Sequence, residues 1–434
     1  MIIFLIWNEY DMIICYICDV KQLKKIRDEQ ARNSNKIIAM KAKKTSRVAS
    51  IDALRAITMM LMLFVNDIPA LKGVPHWLFH AAADEDMLGF SDTIFPAFLF
   101  CVGMSVPFAI DNRLKRGDSQ FGVLSHILWR SFALIVMGLF TLNCDAGSSC
   151  MSYLTYSLLI IAAFFLIWTA YGGTVLKGMP IVVNILKFIG VVILVALIVW
   201  CDVSGKHFEI GWWGILGLIG WSYLYTALAY LICRRNMKWV VVAAVITMLL
   251  CVVNSSSLIP RDWFLRNLFL SFIPGGWAEH AFCMAGLAAS MLMRHYRSND
   301  AYGRLVAVFI AIGLVMLVAG IWSHQYWIIS KIQDTPTWLF YCLAIFFPLT
   351  AAAYWMMDVK GHVSWTWLIA PAGTATLTCY LLPYIWYPVA DTFGLHLPEG
   401  WWYGVAGIII SLAYSLIVIQ VVRWMKQAGL VVRL

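Results

Sequence analysis

Charge is scarce in this chain. Only 13% of its 434 residues are Asp, Glu, Lys or Arg, while 62% are hydrophobic and the mean hydropathy is +0.79. A soluble domain carries roughly a quarter charged residues, so too little polar surface exists to wet this chain all round, and lipid must cover most of it. Acidic residues are the scarcer sign, 23 against 32 Lys and Arg. In a soluble protein that excess would point to nucleic acid. Here the cations fall in short runs between apolar stretches: Lys41, Lys43, Lys44 and Arg47; Arg113, Lys115 and Arg116; Arg234, Arg235 and Lys238; Arg294 and Arg297; Arg423 and Lys426. Runs that recur after alternate apolar stretches are what the positive-inside rule produces, and a nucleic-acid partner is not expected. Metal-ligand spacing is also lacking, since the 11 cysteines lie scattered, most of them in apolar stretches as small hydrophobes. Cys144 and Cys150, which bracket a short outer connection, are compatible with a disulfide.

What is present is a succession of apolar segments, each near the ~20 residues that a spanning helix needs. They fall at 51–70, 91–111, 122–142, 151–171, 180–201, 211–233, 238–254, 277–293, 302–323, 337–357, 367–389 and 402–424. The expected fold class is all-α: a polytopic helical bundle of about twelve transmembrane helices, with both termini cytoplasmic and residues 47–434 as one membrane domain. Residues 1–46 read differently. The apolar start is broken by Asn8, Glu9, Asp11 and Asp19, and it lacks the basic opening and cleavage site of a signal peptide. That segment reads as a poorly structured or interfacial extension, with a conventional basic N-terminus beginning at Met40. Outer connections 71–88, 256–274 and 326–336 mix tryptophans with charges, as pieces roofing a cavity would. The glycine-rich Trp212–Trp221 stretch reads as close helix packing.

Polar residues inside such a frame carry the functional information. Asp52 and Arg55 stand three apart on the first span, an intrahelical pair or a ligand contact. Asn66 ends that span, His80 sits in the following outer connection, and Asp92 opens the second span. One helical hairpin therefore gathers an amide, an imidazole and a carboxylate at its outer end, a set suited to acid–base or nucleophilic work. A solvated loop histidine is the plain alternative. His280, beside Glu279 and close to a Pro-Gly-Gly break, is the second intramembrane candidate, against a structural hydrogen bond.

The ordered pieces Arg-x-x-Ser-Ile-Asp-x-Leu-Arg (47–55), Phe-Val-Asn (64–66), Leu-Phe-His-Ala (78–81) and Asp-x-x-Phe-Pro-x-Phe-x-Phe-x-x-Gly (92–103) resemble the heparan-α-glucosaminide N-acetyltransferase family. Weaker similarity returns at 276–286, 354–361 and 373–380. The resemblance implies a membrane enzyme that takes the acetyl group of cytoplasmic acetyl-CoA and passes it to an amino sugar or glycan across the bilayer. It implies His80 as the active histidine, with Asn66 and Asp92 at the matching family positions, and no metal. Chemistry is consistent with that implication. A thiolate leaves readily, so the reaction needs a deprotonated acceptor and a group to hold the carbonyl oxygen. Imidazole can take a proton at neutral pH, an amide can donate to an oxyanion, and a carboxylate can orient the ring. Attack by His80 itself, through an acetyl-imidazole, stays open beside direct transfer.

Arg113, Arg116 and Arg130, near the inner ends of spans two and three, together with Arg55, are the candidates for the nucleotide of acetyl-CoA; each also serves as a topology charge. The segment after His80 departs from the family. Where an aromatic residue is expected, an acidic run holds Asp84, Glu85 and Asp86, candidates for a cationic acceptor alongside Glu279 and His280, or simply an exposed turn. A bacterial inner membrane is the expected location, and a homodimer is one assembly the sequence allows. The competing class is a secondary transporter of a small solute, suggested by the span number and the Gly/Pro-interrupted helices. No internal repeat supports it.

Overall fold

Long apolar runs close their own backbone hydrogen bonds by forming helices, the one open-chain solution in hydrocarbon. The computed structural model describes residues 48–434 except 146–150, 175, 177, 206, 213, 234, 257–275 and 396. Its helices are α1 (Ala49–Asp67), α2 (Phe90–Lys115), α3 (Gln120–Asp145), α4 (Tyr153–Trp168), α5 (Pro180–Val203), α6 (Ile215–Ile232), α7 (Met237–Ser255), α8 (Trp277–Ser298), α9 (Tyr302–Ser323), α10 (Pro336–Tyr354), α11 (Ala370–Thr374), α12 (Thr376–Leu381), α13 (Pro383–Phe393) and α14 (Gly404–Gln427). No strand occurs among the described residues beyond two isolated bridges. The chain is an all-α polytopic membrane protein, and residues 49–434 make one compact unit.

Nine of the described helices are long and apolar enough to cross a membrane. The other three expected spans are helical too, but each for its own reason falls outside that set. Helix α4 has 16 residues. The 367–389 span is divided into α11, α12 and α13, with Pro371 and Pro383 in the first turns of α11 and α13, where a missing N–H does no harm. Helix α8 is long, but carries Glu279, His280, Arg294, His295 and Arg297. Every residue of α8 from Trp277 to Met291 is buried, so protein rather than lipid surrounds it, and apolarity all round is not required of it. By contrast α5 and α9 turn large apolar side chains outward, among them Phe188 at 68% and Val318 at 65% exposure.

The packing of α2 on α8 sets the frame of the site. A Cβ added to Gly103 would lie 1.8 Å from Cys283 O, and one added to Gly286 would lie 1.9 Å from Phe100 O. Backbones approach that closely only where neither helix has a side chain, as in small-residue contacts between membrane helices. The result aligns the start of α2, with Asp92, beside the start of α8, with Glu279 and His280. Residues 1–47 lie outside the described set, and with them the expected extension and the Met40 start. Cys150, the second half of the expected disulfide, lies outside it as well.

Candidate active site

The connection between α1 and α2 is fastened to the first turn of α2 on both sides of His80. Ser91 Oγ donates to Leu78 O at 2.7 Å, and Asp92 Oδ2 accepts from Ala81 N at 2.9 Å. Gly89 permits this closeness, because a Cβ there would stand 2.2 Å from Phe79 O. Between those two fixings the His80 ring meets Asp92: Nδ1 lies 2.6 Å from Oδ1. Asp92 is 2% exposed, while the His80 side chain is 41% exposed. A buried carboxylate thus orients a half-open imidazole. Since an ionised carboxylate only accepts, Nδ1 carries the proton and donates, and Nε2 is left with its lone pair. Asp92 sits in the first turn of α2, where the helix dipole favours its negative charge. Trp338 of α10 donates to the Asp92 carbonyl at 3.1 Å, closing the site from the far side.

A third group stands there that sequence reasoning missed. Lys331, in the turn between α9 and α10, places Nζ 3.5 Å from His80 Nδ1 and 3.9 Å from Asp92 Oδ1. Burial pushes its ammonium below the usual lysine range, against the opposing pull of Asp92 and then Glu279. A lone lysine in a polar outer connection carries no motif. The available signal was the mixture of tryptophan and charge in residues 326–336.

Other expected residues are distributed as follows. Asn66 is exposed at the end of α1 and shares no hydrogen bond with His80 or Asp92 among the described residues. The acidic run is divided in its work. Asp86 accepts from His324 Nε2 at 2.8 Å and from Ile329 N at 2.8 Å. The Ile329 amide first, and His324 after it, hold the Asp86 carboxyl below the usual carboxylate range despite slight burial. Glu85 is held low by Ala82 N and His76, and Asp84 is exposed. Ser330 Oγ and Gln333 Nε2 both donate to Ala83 O, at 3.0 and 2.6 Å. The acidic segment therefore joins two connections, 71–88 and 324–335, into one roof over the His80 end of α2. The 257–275 part of the third outer connection lies outside the described residues.

Glu279 and His280 are buried at the start of α8. His280 Nδ1 meets Ser222 Oγ at 3.0 Å, and its ring stacks on Tyr225 with centroids 5.3 Å apart. Its Nε2 has no hydrogen-bond partner among the described residues. Beside it the carboxyl of Asp334 lies against that of Glu279 and accepts from Ala278 N at 3.3 Å. Burial first, and the neighbouring Glu279 charge second, push the Asp334 carboxyl well above the usual range.

The expected nucleotide contacts lie on α1, α2 and α3, away from His80. Arg55 donates to Gly373 O at 3.1 Å and to Ser105 Oγ at 2.8 Å, with Asp52 Oδ1 at 3.6 Å; it ties α1 to α2 and α11. Arg113 binds Asp118 at 2.9 Å and approaches His126. Arg116 is exposed at the end of α2, and Arg130 lies over the Tyr223 ring at 4.7 Å. A cavity of about 490 Å³ opens at the other end of α2 from His80, lined by Asp111, Tyr230, Arg235, Met237, Met291, Arg294 and His295. Among the described residues no group of three or more His, Cys, Asp and Glu could hold a metal ion.

Comparison with known proteins bears on these groups. Residues of this chain are 38% identical over 97 positions to heparan-alpha-glucosaminide N-acetyltransferase of Homo sapiens, covering 22% of this chain and 14% of that protein. They are 34% identical over 98 positions to the Mus musculus protein of the same name, covering 23% of the chain and 14% of the relative. The match thus spans about a seventh of the length of those relatives. The pattern of DUF5009, a domain of unknown function, matches residues 47–285, which is more than half of the chain and takes in His80, Asp92, Glu279 and His280. This chain belongs to the DUF5009 family.

Proposed function

We propose that the protein is a transmembrane acetyltransferase: it moves the acetyl group of cytoplasmic acetyl-CoA to an amino sugar or glycan at the opposite face of a bacterial inner membrane. The observation that carries this reading is the 2.6 Å bond between buried Asp92 and half-exposed His80. It fixes the ring tautomer that leaves Nε2 free as a base. Partial identity to proteins named heparan-alpha-glucosaminide N-acetyltransferase supports the choice of reaction and substrates.

His80 Nε2 takes a proton from the attacking acceptor, Asp92 steadies the imidazolium that forms, and the same proton goes on to the thiolate of CoA as it departs. Asn66, exposed at the outer end of α1, is a donor for the carbonyl oxygen. Glu279, His280, Asp84 and Asp86 are the groups offered to the acceptor; Asp86 does so while holding the roof. The nucleotide of acetyl-CoA, a polyanion that will not cross lipid, stays among inner cations. Arg113, Arg116, Arg130 and Arg55 are its candidates, and the cavity carrying Arg235 and Arg294 adds two more.

His80→Ala is expected to abolish acetyl transfer to amino-sugar acceptors while thermal stability and acetyl-CoA affinity stay near wild type. The measurement is CoA release by purified protein with and without acceptor, alongside binding of acetyl-CoA. Full activity of the variant would remove His80 from the mechanism and leave His280 as the next candidate.

A further inference from the structure

We propose that Lys331 is a catalytic residue of the same site, whose ammonium holds the thioester oxygen as negative charge develops on it; this rests on the acetyltransferase reading. The turn that bears Lys331 is pinned in three directions. Asp86 takes the Ile329 amide, and Ser330 and Gln333 grip Ala83 O, all in the connection that carries His80. Asp334, whose amide closes the turn on Lys331 O at 3.1 Å, sends its carboxyl to Ala278 N at the head of α8. Thr335 then caps α10, accepting from Trp338 N at 3.4 Å. So many fixings on a seven-residue stretch hold Nζ where it is, beside the base.

The bonding capacity around the ammonium is not spent. Asp92 already accepts His80 Nδ1–H and the Ala81 amide, and its Oδ1 lies 3.9 Å from Nζ, too far for a good hydrogen bond. His80 Nδ1 is itself a donor in this arrangement, so the 3.5 Å contact with Nζ is proximity rather than a bond. The Lys331 side chain is 29% exposed and the neighbouring imidazole 41%. An ammonium brought this far out of water and left with unspent N–H groups next to a general base is placed to receive an anion. The anion that the reaction generates there is the tetrahedral oxygen.

In the step, the acceptor nitrogen, as free amine, bonds to the thioester carbon, and the C=O electron pair moves to oxygen. The N–H proton passes to His80 Nε2, and Lys331, protonated throughout, donates to that oxygen. The C–S bond then breaks as the carbonyl re-forms, and His80 returns the proton to sulfur. Amine and thioester become amide and thiol with nothing left over.

The test uses full-length protein with acetyl-CoA and glucosamine. Lys331→Met is expected to lower kcat by about 10²–10³, with the KM for acetyl-CoA and the melting temperature within a factor of two and a few degrees of wild type. Lys331→Arg is expected to recover much of the loss. The pH profile supplies a readout that mere packing would not move. The groups facing Nζ are His80, Asp92, Glu279 and Cys342, and the ammonium titrates below the usual lysine range. Wild-type kcat should therefore fall on an alkaline limb, and that limb should disappear in Lys331→Arg, whose guanidinium does not titrate. A Lys331→Met kcat within threefold of wild type overturns the proposal. So does a loss that accompanies a collapse in melting temperature and is not recovered by arginine. If His80→Ala is inactive while Lys331→Met is active, this inference alone fails; if His80→Ala is active, the acetyltransferase site itself is wrong.

Discussion

Helix α2 carries a buried aspartate at each end, and the two are treated in opposite ways. Asp92 and Asp111 stand about 28 Å apart at the ordinary helical rise, close to the thickness of a hydrocarbon core. At the N-terminal end Asp92 lies in the first turn, where the helix dipole stabilises a negative charge. It needs little more, and gives its strongest bond to an imidazole that remains half open. At the other end Asp111 lies near the C-terminus of the helix, where the dipole opposes it. It is gripped by Arg294, by Arg235 at 3.3 Å and by the Tyr230 hydroxyl at 3.1 Å. Those partners come from α6, from α8 and from the turn before α7. Asp111 fastens helices together; Asp92, in the proposed mechanism, prepares a base. A carboxylate whose acceptor sites are filled by two guanidiniums is a fixture, whereas one bound to a ring with a free nitrogen is an instrument.

The sharpest way to break that contrast is to remove the outer carboxylate without changing its shape. Asp92→Asn keeps the volume but offers an amide that can donate to Nδ1, which reverses the tautomer and turns the Nε2 lone pair into an N–H. Loss of about 10³–10⁴ in kcat is expected, as in other orienting carboxylates, with acetyl-CoA binding retained. Activity within tenfold of wild type would show that Asp92 is as structural as Asp111.

The converse variant, Arg294→Met, strips the inner aspartate of its closest partner. Breaking a buried ion pair costs about 3–5 kcal/mol. Arg294 is about a third exposed and Arg235 remains, so about 2 kcal/mol is the better expectation here. The measurement is the melting temperature of the purified protein. Adding Asp111→Asn should recover part of the fall, because no buried carboxylate is then left short of a partner, and the Arg235 guanidinium it releases is half exposed to water. A drop in kcat with no drop in melting temperature would instead place Arg294 on the donor's nucleotide, in the cavity it lines.

These two ends differ as much in how they can be read from sequence. The helices were legible because lipid demands about twenty apolar residues in a row. Helix α8 strained that rule only because protein surrounds it, and the 367–389 segment broke at Ala375 and again before Pro383. The hairpin with Asn66, His80 and Asp92 was legible because its members lie close in sequence, at the facing ends of consecutive spans. Lys331 reaches the same point from 251 positions away along the chain, and no local pattern marks it. The Asp84–Asp86 run shows a subtler limit. Its charge was visible, but not that Asp86 spends that charge on Ile329 N and His324, because those partners belong to a connection between later helices.

The smallest expected effect concerns the second carboxyl pair at the outer face, Glu279 and Asp334, and tests whether burial alone can make an aspartate a liability. Asp334 titrates well above its usual range, by burial first and by Glu279 second. The unfolded chain gives up this proton near pH 4, while the folded chain keeps it to higher pH. Above pH 4 the folded state therefore holds more protons than the unfolded one, and this group makes stability fall as pH rises. Asp334→Asn fixes the neutral form: its amide oxygen can accept from Ala278 N as the carboxyl does, and its NH₂ can donate to Glu279 as a carboxyl proton would. The variant should match wild type in melting temperature near pH 4 and exceed it at pH 8, where the wild-type group is under pressure to ionise. Equal melting temperatures at both pH values would mean that Asp334 ionises freely. The pair would then have to be held by a nearby cation, for which Lys331 is the group at hand, and the contrast between fixtures and instruments would need a third class.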